Sequence, residues 1–438
     1  MPGVTGETRT PPRRAPGAGA AADRPRRRRL GAAVSCFLCL AAILAATLFP
    51  SAHEGATGWD GCLFCGSRGL ADALLNVALF VPLGAALARL GVPARFALPL
   101  AALLSAGIET AQFFVPGRDP SPPDLLFNSA GAALGSLAGQ HAARLLLPSG
   151  RGAARLSLAW SALFAAAVAL TGWLTGPSFP RDTLYGQWTP EVGDMPVYDG
   201  RVLAARVGPA AVARGRLGDS RPVREALVAG APVEAVVLVG PPHPALSPVL
   251  RIVDEEEREA VLLAAEGRDF VFGYRMRAEN VRLDRPLFRV PDARRDIPAG
   301  DTIRVAVQRR GRGIAARVDG RLVGAPRLDV GRGWTLLFFS LSFGERTSRA
   351  LDALWIALWT LPLGLWARRR ARWYLAAGIA AAALVALPGM VALAPAGLEE
   401  VVGAAAGVAA GYIVRHRVER RREERRQPEA ARSLPCAR

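Results

Sequence analysis

Blocks of about twenty consecutive, mostly apolar residues recur along this 438-residue chain, and nothing else in it constrains the fold so strongly. A helix needs about 20 such residues to cross a bilayer, because every backbone polar group in hydrocarbon has to be paired within its own segment. Windows of this kind occur at 31–51, 72–90, 96–115, 124–146, 156–176, 350–367, 374–394 and 398–414, so eight spans are predicted. With 51% hydrophobic residues and a mean hydropathy of +0.21, the chain is not expected to be purely soluble.

The formal net charge of +18 has two readings, a nucleic-acid surface or the arginines of cytoplasmic loops, and their location separates them. All 55 basic residues are arginine. Apart from the many in the long interval 177–349, which would be translocated largely regardless of its charge, they gather in residues 1–30, in Arg89 to Arg95, in Arg144, Arg151 and Arg155, in Arg368, Arg369, Arg370 and Arg372, and in the tail from Arg415. Those groups fall on one side of the predicted spans, while the short loops of the other side hold Glu54, Asp60 and Arg68, then Arg118, Asp119 and Asp124, then Glu399 and Glu400, with little net positive charge. The expectation is a multi-pass protein of a bacterial plasma membrane with both termini cytoplasmic and no nucleic-acid partner. The basic run Arg26 to Arg29 before the first span imitates a signal peptide. The unbroken apolar stretch Leu30 to Phe49 reads instead as an uncleaved anchor.

The interval 177–349 differs in composition. Runs of β-forming residues recur there, at Val233 to Val239, Pro248 to Val253, Ala260 to Ala264, Asp269 to Tyr274, Thr302 to Gln308, Ile314 to Val318 and Trp334 to Ser342. Glu266-Gly267, Pro298 to Asp301 and Asp319-Gly320 mark turns between them. No helix-period block of comparable strength is seen, so an extracytoplasmic β-sandwich inserted into a helical membrane bundle is predicted. The divisions are a disordered basic start (1–30), a four-span module (31–146), a fifth span (156–176), the sandwich (177–349), three further spans (350–414) and a basic tail (415–438).

Polar residues inside spans are expensive and invite a functional reading. They concentrate between 70 and 140. Asp72 and Asn76 open the second span, Glu109 and Gln112 close the third with Arg118 just beyond, and Asp124 and Asn128 open the fourth. Each pair shares a helix face at i, i+3 or i, i+4, and alternating span direction puts all three pairs near the outer surface. Asp72 and Asp124 read equally as first-turn acids that satisfy free N–H groups. Glu109 needs a partner or a proton, and Arg118 is the nearest cation in sequence. Gly131, Gly135 and Gly139 form a small-residue stripe that lets a neighbouring helix approach.

The series Asp72-x-x-x-Asn76-x-x-x-Phe80-x-Pro82-x-Gly84, Glu109-x-x-Gln112 to Pro116-Gly-Arg118, and Asp124-x-x-x-Asn128-x-x-Gly131-x-x-x-Gly135 resembles the VanZ-like family over roughly residues 35–146. That resemblance implies a small helical membrane module, named for low-level teicoplanin resistance, and carries over no catalytic residue. Leu250 to Asp254, Asp269 to Arg275, Gly300 to Val307 and Val318 to Gly320 are similar to laminin G-like or concanavalin A-like sandwiches, which implies recognition of carbohydrate or protein. Tyr185, Trp188, Tyr198 and Tyr274 are candidates to stack on sugar or to pack in a core.

Cys62 and Cys65 suggest a local disulfide in an external loop, and Cys36 and Cys39 small apolar packing in the first span. The acidic run Asp254 to Glu257 reads as a solvated turn. No metal site or cofactor is expected, and no phosphate loop, HExxH or GxSxG pattern occurs. The leading expectation is a non-enzymatic envelope protein that engages a membrane lipid or lipid-linked cell-wall precursor near the outer leaflet. The alternative is an enzyme on a lipid-linked phosphate or glycan, with Glu109 or Asp124 as acid or base and Arg118 holding phosphate. A transporter is disfavoured because the inner halves of spans two to four are almost wholly apolar.

Overall fold

The computed structural model describes residues 18–50, 63–64, 66–118, 120–193, 195–339, 343–368 and 371–432, with backbone alone for 18–28 and 421–432. Two compact units emerge: Met1–Thr57 with Asn76–Ala142, and Gly58–Leu75 with Ala143–Arg438. Cys62, Cys65 and Asp119 lie outside the described residues. Helix α1 (Ala18–Leu48) begins inside the stretch expected to be disordered.

The first unit is helical, built from α1, α2 (Gly69–Leu90), α3 (Ala94–Gln112) and α4 (Pro122–Gln140), with the first turns of α2 grouped in the second unit. Ile43, Phe80, Leu83, Ala101, Ile108 and Ala132 form its core, with Cys36 and Cys39 as free thiols packed at its edge. Glycine sets the approach of α2 to α4. A Cβ on Gly84 would overlap the Ala132 carbonyl, one on Gly131 the Val77 carbonyl, and one on Gly135 the Val81 carbonyl. The backbones touch because the glycine at each contact carries no side chain.

In the second unit, α5 (Ala142–Leu146) and α6 (Gly150–Leu174) precede twelve strands and two short helices. The strands are β1 (Tyr185–Trp188), β2 (Arg201–Val207), β3 (Ala210–Ala211), β4 (Gly215–Arg216), β5 (Val233–Leu238), β6 (Ser247–Val253), β7 (Glu259–Glu266), β8 (Asp269–Tyr274), β9 (Phe288–Val290), β10 (Thr302–Arg310), β11 (Gly313–Val318) and β12 (Arg321–Gly324). They pair in two six-stranded antiparallel sheets, ordered β4-β1-β6-β7-β8-β9 and β12-β11-β10-β5-β2-β3. Alternation sets the core: Val233, Ala235 and Val237 of β5 and Ile303, Val305 and Val307 of β10 point inward to Leu250, Ile252, Leu263, Phe270 and Phe272. Strand β8 is buried on both faces, because Val271, with Leu262 and Ala264 of β7, is covered by Leu246 and Leu287. Asp319 and Gly320 both take positive φ, 49° and 81°, the conformation a tight two-residue hairpin requires.

Two expectations for this interval are corrected. Trp334 to Ser342 does not begin as a strand, since Val330–Leu336 is a 3-10 helix whose N-cap Asp329 accepts from the Arg332 N–H at 3.1 Å. A helix also occurs where none was expected. Helix α7 (Arg221–Ala229) has Pro222 in its first turn, buries Val223 and Leu227, and ends at left-handed Gly230. Its amphipathic pattern is confined to nine residues, little more than two turns, within an otherwise β-forming interval.

Beyond α8 (Arg277–Asn280), the chain closes with α9 (Glu345–Leu365), α10 (Ala371–Val385), α11 (Leu387–Met390) and α12 (Leu398–Arg432). A second glycine seam joins α9 and α12, where Cβ atoms on Gly403, Gly407 and Gly411 would overlap the Ala353, Ala357 and Leu361 carbonyls. Helix α6 joins α9 through tryptophan: Trp160 donates to the Trp359 carbonyl at 2.6 Å, with ring centroids 5.5 Å apart. The last carbonyls of α6 receive cations, Arg312 on Gly172 at 3.0 Å and Arg277 on Trp173 at 3.2 Å, which complements the negative end of the helix dipole. One continuous core therefore runs from the sandwich into α6, α9 and α10.

Among the described residues four stretches are long and apolar enough to cross a membrane, Arg29–Leu48, Gly69–Leu90, Ala94–Gln112 and Gly150–Leu174, not the eight expected. Pro122, Pro123, Asp124 and Asn128 dilute α4, and charges dilute α9 and α12. Helix α10, of 15 residues, reaches only about 22 Å, short of a hydrocarbon core of about 30 Å.

Candidate functional site

Ser105, Glu109 and Gln112 lie at i, i+4 and i+7 along α3 and so share one face. The first two are met by α4 and the third by α1. The Glu109 carboxylate accepts from the Ser121 N–H at 2.5 Å, at the N-terminus of α4, where free N–H groups and the helix dipole favour an anion. Asp124, in the first turn of α4, stands within electrostatic reach of Glu109. Gln112 donates to the Thr47 carbonyl of α1 at 3.0 Å. Asn128, 1% exposed, donates to the Ser105 hydroxyl at 2.9 Å.

Arg118 is placed differently from expectation. Its guanidinium donates to the Phe49 carbonyl at 2.8 Å and the Ala46 carbonyl at 2.9 Å, closing the C-terminal end of α1. The cation nearest Glu109 in sequence is thus an α1 cap, and the Glu109 carboxylate is held by a backbone N–H. Asp72 is grouped with the second unit, where Arg68 and Asp284 are its charged neighbours. Asn76 lies half-buried further along α2. Ser105, Thr47 and Ser121 were missed from sequence. The signal for Ser105 was its i, i+4 spacing to Glu109, while Thr47 and Ser121 contribute backbone groups that no pattern marks.

Two acceptor atoms in this constellation are left open. Asn128 Oδ1 and Gln112 Oε1 are buried and receive no hydrogen bond. A buried acceptor without a donor costs on the order of 1–3 kcal/mol. Arg118 is turned to backbone carbonyls.

The sandwich aromatics divide. Tyr198 and Tyr274 are core residues, 4% and 2% exposed, and Tyr274 stacks on Phe288 at 5.8 Å, so neither presents a face to sugar. The acidic turn is anchored as well as solvated: Asp254, 1% exposed, accepts from the N–H groups of Glu256 at 3.0 Å and Arg258 at 2.9 Å. Among the described residues no group of three or more His, Cys, Asp or Glu is placed to hold a metal ion.

A carboxyl group that sequence reasoning did not single out lies where the 3-10 helix meets α9 and α12. Asp352 of α9 accepts from Trp334 Nε1 at 2.7 Å and pairs with Arg332 at 3.2 Å, and Glu400 of α12 is 3% exposed beside Gly331. Burial, then Glu400 and Asp352, push the Asp329 carboxyl up to about 7 against the opposing pull of Arg332. The folded state therefore keeps a proton that the unfolded chain releases near its ordinary value of 3.8. Stability is expected to fall as pH rises from about 4 to about 7 and to level off above, because the unfolded state binds fewer protons throughout that window. Thermal unfolding of the purified chain across pH 4–8 reads this slope. Asp329→Asn should flatten it, and an unchanged slope would place the titration elsewhere.

Residues 36–140 match the family model described as VanZ/LLP1. The match spans every polar residue of this constellation and the glycines that pack α2 on α4. No curated protein and no solved structure matches the chain. The apolar helices and the VanZ-like segment together indicate a membrane protein.

Proposed function

We propose that the VanZ-like segment is a recognition module of the bacterial plasma membrane that binds the donor-rich headgroup of a lipid-linked cell-wall precursor at the outer leaflet. The open buried acceptors Asn128 Oδ1 and Gln112 Oε1 carry this reading, because in an apolar surrounding they gain most from a sugar hydroxyl or an amine. The distribution of arginine supports an orientation with both termini cytoplasmic and residues 177–349 outside, which requires α4 to cross along with the four more apolar stretches and an odd number of crossings after residue 349. The sandwich, similar in its sequence pattern to laminin G-like folds, is proposed to recognise an envelope glycan or protein, and lowered glycopeptide susceptibility is the phenotype that such binding would produce.

Binding of an undecaprenyl-pyrophosphoryl amino sugar to the full chain in nanodiscs tests this. Asn128→Leu removes one acceptor and is expected to weaken binding about tenfold, the upper end of one hydrogen bond, and to lower thermal stability by about 1 kcal/mol because the bond to the Ser105 hydroxyl goes with it. Glu109→Gln keeps shape and hydrogen-bonding capacity and is expected to leave binding within about threefold. Unchanged affinity in Asn128→Leu would sink the proposal. Turnover of the probe, abolished by Glu109→Gln, would move the assignment to an enzyme.

A further inference from the structure

Helices α9 and α12 are joined along their glycine seam, but α10 does not close on that pair. Between them lies a cleft of about 710 Å³, within the range of small-molecule and lipid sites. Its body is apolar and shallow-walled because alanines line it, among them Ala377, Ala381 and Ala405. Along α10 it runs from Tyr374 to Leu384, about 15 Å at 1.5 Å per residue. Its one charged residue and its aromatic rings are confined to one end, and the Thr360 hydroxyl further in is held by the Ala404 carbonyl at 3.0 Å. Arg368 lines the cleft where α9 gives way to α10, and Trp373, Tyr374 and Tyr412 ring the same end. Tyr374 and Tyr412 are exposed, and Trp373 fixes its ring by donating to the Leu363 carbonyl at 3.1 Å.

That asymmetry selects the occupant. A purely apolar guest would need no cation, and a free anion would need no 15 Å apolar trough. An arginine with a collar of tyrosine and tryptophan at one end of an apolar cleft is the arrangement found where side chains meet headgroups at a membrane interface. The neighbouring positive charge, Arg372 at the start of α10 and Arg417 on α12, matches a negatively charged leaflet, while Arg415 is paired with Glu419 at 3.0 Å. The short α10 supplies the room, since a 15-residue helix between two longer ones cannot fill the hydrocarbon depth with its own side chains.

We propose that this cleft binds one anionic phospholipid, an acyl chain lying along Ala377 to Leu384 and the phosphate held by Arg368. The assignment is independent of the headgroup reading for the VanZ-like segment, since it involves different helices and a different ligand.

Native mass spectrometry of the full chain in neutral detergent, with added phosphatidylglycerol or phosphatidylcholine of equal chain length, tests it. One phosphatidylglycerol is expected to remain bound in preference to phosphatidylcholine. Arg368→Gln is expected to cut that preference about fivefold, the scale of one arginine at an anionic surface. Ala381→Leu with Ala405→Leu fills the trough with side chains that meet open space and is expected to abolish retention of either lipid. Equal retention by the filled variant, or no preference in the parent chain, would overturn the proposal. Thermal stabilisation by inorganic phosphate equal to that by phosphatidylglycerol would overturn it too, since it would show a headgroup site without a chain site.

Discussion

Gly135→Ala is expected to disrupt the VanZ-like segment, although it adds a single methyl group. That methyl would overlap the Val81 carbonyl oxygen and crowd the backbone of α2 near Ala85, and a helix backbone cannot step aside as a side chain can. Overpacking typically costs 1–3 kcal/mol, and a backbone clash belongs at the upper end, about 3 kcal/mol. Gly107→Ala in α3 is the matched control, because a Cβ there meets nothing within 4 Å. In that exposed helical position alanine is expected to stabilise by roughly 0.5–1 kcal/mol. Thermal unfolding in detergent compares them. Equal behaviour of the two variants would show that α2 and α4 do not touch through their glycines.

The second large effect is expected at Glu259, in the sandwich. Its carboxylate accepts from Arg251 Nε at 2.6 Å and also from Arg285 Nη2. The arginine side chains are only 10% and 13% exposed, and Gln187 and Glu279 complete their surroundings. Glu259→Ala leaves both guanidinium groups without their shared partner in a poorly hydrated place, and removing one member of a buried ion pair costs about 3–5 kcal/mol. Replacing all three residues together, Glu259→Leu with Arg251→Met and Arg285→Met, is expected to recover most of that loss, because no uncompensated charge remains. Limited proteolysis of residues 177–349 in the full chain reads both. A Glu259→Ala variant as resistant as the parent would show the network to be solvated.

Legibility followed range of interaction. The strand Asp269–Tyr274 was readable to the residue because period-2 alternation is a local property, and Asp319-Gly320 announced its hairpin for the same reason. The stripe Gly131, Gly135 and Gly139 was visible as spacing, yet its counterpart Gly403, Gly407 and Gly411 passed unnoticed inside an alanine-rich run. The polar residues of 70–140 were picked out individually by their cost in a span. Their partners were not, since a carbonyl at Thr47 or an N–H at Ser121 carries no side-chain signature.

By itself, then, the sequence determined which segments are apolar, which alternate, and which polar residues are out of place among them, because these depend on neighbours a few residues apart. Only the tertiary structure decided that Arg118 closes α1 and does not pair with Glu109, that Asp329, Asp352 and Glu400 share one buried corner, and that α9, α10 and α12 leave a cleft open at Arg368. Those outcomes depend on which backbone groups and empty volumes the packing brings together across tens to hundreds of residues, and one-dimensional spacing holds no record of them.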